Sequence, residues 1–180
     1  MNVTVSSLKL PFATLCLAAL AACNHNATGD DRRAAEPGGE ASVTIMAFNV
    51  ENLFDNVDDP GKDDRTYLAR ADKQGREHKA ACNEIEVDRW REQCLDWDWN
   101  DALIDKKLGV VADVILQVGD GRGPDSVALQ EVENIGILER LRTEYLGAAG
   151  YRPGILIDGD DRRGIDVAFL TRLELAAPPT

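Results

Sequence analysis

Three apolar runs that stop on polar groups set the frame of this chain. The segment from Val43 to Asp55 is mostly apolar at first and gives way to Asn49, Glu51 and Asn52. Val127, Ala128 and Leu129 follow the turn signal Gly123, Pro124, Asp125 and end on Gln130 and Glu131. Ile165 to Thr171 follows the charged turn Asp161, Arg162, Arg163, Gly164. Short apolar runs bounded by turn residues predict buried strands, here strands that deliver oxygen ligands at their ends. Between the first two, Leu103, Ile104, Leu108, Val111, Ala112, Ile115 and Leu116 recur at helical spacing and predict an amphipathic helix over 101–118, laid on a sheet. Ile135, Leu138, Leu141, Arg142 and Tyr145 are spaced as a second helix over 134–146, with Asn134 as its N-cap and Gly147 and Gly150 as its stop. Arg152 to Ile157 reads as a strand that pairs with Ile165 to Thr171 across the turn Asp158 to Asp161. The order strand, insertion, helix, strand, helix, hairpin gives an α/β fold without an internal repeat.

The first 22 residues follow another pattern. Leu10 to Ala22 is apolar apart from Pro11 and Thr14, too short to span a bilayer and suited to the core of a secretory signal. It ends in Leu20, Ala21, Ala22 and Cys23, which resembles the lipobox of bacterial lipoproteins and implies lipidation of Cys23. Asn24 rather than Asp follows, and the lipoprotein pattern then implies outer-membrane retention, on the periplasmic or surface side. More than one acyl chain on Cys23 makes such anchoring stable. Residues 23–41 have no apolar period and read as a tether, and the folded domain is expected over 42–180.

Residues 55–100 form a long charged insertion, with an acidic stretch from Asp55 to Asp64 read as a solvated loop. Val57 and Pro60 spoil every register of a calcium-binding EF-hand there. Trp90, Trp97 and Trp99 anchor the insertion or stack on a substrate, and His78 reads as an exposed loop imidazole. With Cys16 leaving with the signal and Cys23 taken by lipid, Cys82 and Cys94 remain as a pair expected to form a disulfide in an oxidising compartment.

Among 180 residues, 20 are basic and 32 acidic, a net charge of −12, with 44% hydrophobic residues. That suffices for the core of one domain. The acidic balance argues against a dedicated DNA binder, since affinity for the phosphate backbone rests on Lys and Arg. Small substrates, or a metal ion that supplies positive charge, are more compatible with it.

The segments FNVENLFD, PDSVALQEVEN and RRGIDVAFLTR occur in this order. They resemble the first three motifs of the endonuclease/exonuclease/phosphatase superfamily, which includes deoxyribonuclease I, the abasic-site endonucleases and bacterial sphingomyelinases. The resemblance covers about residues 42–172. It implies the N-terminal half of a deoxyribonuclease I-like α/β sandwich, two packed sheets flanked by helices, with the long insertion after the first strand. It also implies a Mg²⁺ (or Mn²⁺) ion on Glu131, with Asn49 on the metal's water shell or on a phosphate oxygen. Arg163 and Asp166 would reach the same rim. The substrate class is then a phosphodiester or phosphomonoester, with nucleic acid among the candidates, and no protein partner is implied.

The superfamily's later motifs, Gly-Asp-x-Asn and Ser-Asp-His, have no counterpart in this sequence. The expectation is therefore an exported, metal-dependent phosphoesterase of which these residues are an N-terminal fragment, inactive alone and with an open apolar sheet edge. The alternative is a non-catalytic, lipid-anchored binding or interaction lipoprotein built on a half-domain.

Overall fold

The computed structural model describes residues 3–9 and 42–179. Cys23, most of the signal segment and the tether lie outside the described residues. Five strands form one mixed sheet: β1 (Val3–Lys9), β2 (Ser42–Leu53), β3 (Ser126–Val132), β4 (Ile155–Ile157) and β5 (Asp166–Thr171), in the order β1-β2-β3-β5-β4. β2 and β3 run parallel; the other neighbours are antiparallel. The class is α/β, as the apolar pattern predicts.

Alternation along the strands decides which face is covered. Met46, Phe48 and Val50 on β2, Val127 and Leu129 on β3, and Ala168 and Leu170 on β5 are buried on one face. Against it lies α3 (Asp101–Leu116), which contributes Ile104, Leu108, Val111, Ala112 and Ile115. Each fully buried Val, Leu, Ile, Phe or Met among them contributes about 1.5–3 kcal/mol over its exposed state. Asn100 caps α3 by accepting the Leu103 N–H, and Asn134 caps α4 (Ile135–Arg140) by accepting that of Ile137. The predicted second helix changes character at Leu141, where a π-helical turn, Leu141–Tyr145, replaces the α-helix. On the opposite face of the sheet, Ile45 and Val167 remain exposed and Phe169 half-buried.

The insertion departs from the expected loop. It holds α1 (Arg76–Asn83) and α2 (Asp88–Asp96), joined by a disulfide between Cys82 and Cys94. Neither helix has much of an apolar stripe, so covalent and polar ties hold them. Lys73 is fully buried and donates to the carbonyls of Thr66 (2.7 Å) and Gln93 (3.4 Å). Burial pushes its ammonium down to about 8, while Asp98 and Asp96 pull the other way. Trp99 is buried and donates from Nε1 to the Phe54 carbonyl at 3.1 Å, and Tyr67 stacks on Phe54 with centroids 3.9 Å apart. The insertion is thereby fixed beside the end of β2. His78 is half-buried on α1, with Nε2 3.0 Å from the Cys94 carbonyl oxygen.

Candidate active site at the ends of the central strands

Both central strands break register where their polar residues begin. The β2/β3 ladder shifts between Asn49 and Leu53, and the β3/β5 ladder between Gln130 and Val132. Glu51 (φ 55°), Asn52 (φ 63°) and Glu131 (φ 66°) lie in the left-handed region inside these bulges. For Glu that conformation costs on the order of 1–3 kcal/mol, and bulges commonly re-aim a side chain beside a site. Here they turn Glu131 toward β2.

The result is a closed polar cluster. Asn49 Nδ2 donates to Glu131 Oε1 at 3.0 Å, and the Asn52 N–H donates to Glu131 Oε2 at 3.0 Å. Asn49 Oδ1 accepts the Glu51 N–H at 2.8 Å. Both ends of the Asn49 amide are therefore engaged, so Asn49 orients Glu131 and Glu51, and its Oδ1 keeps a second lone pair as Glu131 does. Glu131 is half-buried, and each of its oxygens retains acceptor capacity beyond the bond it makes. Lys107 of α3 donates from Nζ to the Glu51 carbonyl at 3.0 Å. Burial pushes its ammonium down, and the carboxylates of Glu51 and Glu131 pull it back up.

Arg163 and Asp166 part company. The exposed Arg163 forms a two-point pair with Asp161 (3.1 and 3.0 Å), which raises its already high pKa, and Glu131 adds to that effect through space. It belongs to the rim. Asp166 is 8% exposed and accepts the Gly159 N–H at 2.8 Å, closing the β4–β5 hairpin. Burial raises its pKa, against the pull of that N–H. Among the described residues it has no hydrogen bond to Asn49 or Glu131.

Beside Glu51 and Asn52 opens a groove of about 300 Å³, walled by Tyr67, Trp97 and Trp99 from the insertion and by Lys106 and Lys107 from α3. Aromatic faces next to two ammonium groups suit a ligand with a flat ring and a phosphate. The sequence reading names the Trp residues but misses the lysines. Their signal is the helical spacing of Leu103, Lys107 and Val110, which puts them on one wall.

A second carboxylate group lies close by. Glu133 is 4% exposed and Asp64 1% exposed, so the acidic stretch Asp55 to Asp64 is not wholly solvated. Glu133 Oε2 accepts the Asp55 N–H at 2.7 Å, and Asp64 Oδ2 accepts the Asp59 N–H at 2.8 Å. Burial pushes Glu133 up to about 8 and Asp64 up to about 6, with neighbouring acids adding to both.

A family model described as the endonuclease/exonuclease/phosphatase family matches residues 88–178, half of the chain. The matched stretch contains Glu131, Arg163 and Asp166 and does not reach β2, which carries Asn49. No curated protein and no solved structure matches the chain.

Proposed function

Because the chain belongs to the endonuclease/exonuclease/phosphatase family, we propose that it serves metal-dependent hydrolysis of a phosphoester, with nuclease-like phosphodiesters as the leading substrate class. The observation that carries this reading is the Asn49–Glu131 pair: a half-buried carboxylate held at both oxygens by donors from β2, at the end of two bulged strands.

The donor set fits a hard divalent ion. Glu131 supplies the carboxylate, and Mg²⁺ or Mn²⁺ takes one or two such groups and leaves its other positions to water and phosphate oxygens. Such an ion supplies Lewis-acid stabilisation of charge on the phosphoryl oxygens. The chain's own residues do the rest. Asn49 and the Asn52 N–H fix the carboxylate's direction, and their prepaid order is what makes a preformed electrostatic site effective. Lys107 and Arg163, both in electrostatic reach of Glu131, supply positive charge for an anionic ester. Tyr67 and Trp97 offer ring faces to an aryl or nucleobase substituent. Among the described residues no imidazole stands beside Glu131, since His78 is engaged with the Cys94 carbonyl on the insertion. The residues around Glu131 are assigned to the metal- and phosphate-binding part of the site.

Export and lipid anchoring through Cys23 are part of the same proposal. They are supported by the signal-like N-terminal sequence and by the Cys82–Cys94 disulfide, a bond typical of oxidising compartments. Cleavage before Cys23 removes β1 and frees the edge of β2 for another strand.

Mn²⁺ titration of the full chain and of Glu131→Gln tests the metal assignment. Binding that weakens on the order of 100-fold in the variant supports it, and equal binding overturns it. Mg²⁺-dependent turnover of bis(p-nitrophenyl) phosphate that is lost in Glu131→Gln would support the same assignment, and turnover unchanged in the variant would overturn it.

A further inference from the structure

We propose that Asp59, Asp64 and Glu133 form a second divalent-cation site, of the calcium type, which fastens the start of the insertion to the end of β3. Carboxylate oxygens from these three residues lie within 4.8 Å of one another. Asp64 Oδ1 and Glu133 Oε1 are buried and have no hydrogen-bond partner, while the other oxygen of each is engaged with backbone N–H groups of the same loop. Among the described residues no Lys or Arg pairs with any of the three.

Buried carboxylates without a counter-charge are expensive, and buried acceptors without a donor are rare. A divalent cation answers both conditions at once. Hard oxygen donors favour Ca²⁺ or Mg²⁺, and the absence of nitrogen or sulfur in the set disfavours zinc. Ca²⁺ accepts an irregular shell completed by water and carbonyl oxygens, whereas Mg²⁺ demands a near-regular octahedron and holds its water tightly. The buried setting therefore selects Ca²⁺.

The site is separate from the one around Glu131, whose two oxygens are both hydrogen-bonded to groups of β2. Its consequence reaches the groove all the same. Asp64 accepts the Tyr67 N–H at its carbonyl (2.7 Å), and Tyr67 is a wall of the groove. A cation here would order the aromatic wall from behind.

The test uses Tb³⁺ as a luminescent probe, sensitised by Tyr67 and Trp99, together with melting curves in Ca²⁺ and in EDTA. It compares the full chain, Glu131→Gln, and the double variant Asp64→Asn with Glu133→Gln. Ca²⁺-displaceable Tb³⁺ emission is expected in Glu131→Gln, and affinity is expected to fall on the order of 10- to 100-fold in the double variant. Ca²⁺ should raise the melting midpoint of Glu131→Gln and leave the double variant unmoved. Asn and Gln keep the acceptors for the Asp59 and Asp55 N–H groups, so the double variant should melt no lower than the parent in EDTA. If it fails to fold, Glu131→Gln alone decides: a Ca²⁺-dependent shift supports the site. No shift, or Tb³⁺ binding by a folded double variant equal to that of the parent, overturns it.

Discussion

Glu131 and Glu133 sit two residues apart at the end of one strand, and their surroundings give them opposite chemistry. Glu131 stands in a bulge, half-buried, with Asn49 and Asn52 donating to its two oxygens and Lys107 and Arg163 in electrostatic reach. Glu133 points into the protein, 4% exposed, with one oxygen unpartnered and Asp55, Asp59 and Asp64 as its charged neighbours. The first carboxylate is held in place by a donor at each oxygen and keeps a face for a ligand. The second is held against its charge first by burial and then by the neighbouring carboxylates, although the Asp55 N–H and Asn134 Nδ2 donate to one of its oxygens. Burial and partner chemistry, rather than residue type or position on the strand, separate the carboxylate proposed for substrate chemistry from the one proposed to be structural.

The largest expected difference between the two is a dependence on pH. A carboxyl whose folded-state pKa is raised contributes stability that is complete below its unfolded value and is lost as pH rises toward the folded value. For Glu133 that window runs from 4.5 to about 8, and for Asp64 from 3.8 to about 6. In EDTA the folded domain should therefore lose on the order of 3 kcal/mol between pH 5 and pH 8 through Glu133. Urea unfolding at the two pH values measures it, and Glu133→Gln should flatten the curve. An unchanged slope in that variant would erase the contrast with Glu131.

Next comes the positioning of Glu131. Asn49→Ala removes the donor to Oε1 and the acceptor for the Glu51 N–H together. Mn²⁺ affinity should fall on the order of 10- to 100-fold, the usual cost of losing a group that orients a metal ligand. Tb³⁺ binding at the Glu133 cluster should not change. Equal losses at both would mean that the strand ends act as one unit.

Much of this architecture can be read from the apolar spacing. The runs that become β2, β3 and β5, the stripe on α3 and the cap at Asn134 all follow from period and end chemistry, because each buries a face against the same core. Three features are not legible in that way. The bulges that turn Glu131 depend on register between strands far apart in sequence, and nothing local to Gln130-Glu131 signals them. The helices of the insertion lack an apolar stripe, since a disulfide and buried Lys73 hold them where packing usually would. Asp64 reads as solvated because polar sequence usually is, and only the fold brings Glu133 over it.

The smallest effect tests the sign of the field around Glu131. Lys107→Gln removes a positive charge near Glu131 and Glu51 while leaving a donor that could reach the Glu51 carbonyl. A bound cation and a bound phosphate should respond in opposite directions, because the same ammonium repels one and attracts the other. At an effective dielectric appropriate to a partly open site, each change should be about threefold, well under 1 kcal/mol. Mn²⁺ should bind more tightly and inorganic phosphate more weakly, and both shifts should shrink in high salt. A structural loss from the substitution would instead weaken both ligands together. Tb³⁺ at the Glu133 cluster should report little of either change, since burial and the carboxylates of Asp55, Asp59 and Asp64 dominate the surroundings of Glu133. Opposite shifts at Glu131 with little at Glu133 would mark the ammonium as part of the substrate field and of that site alone.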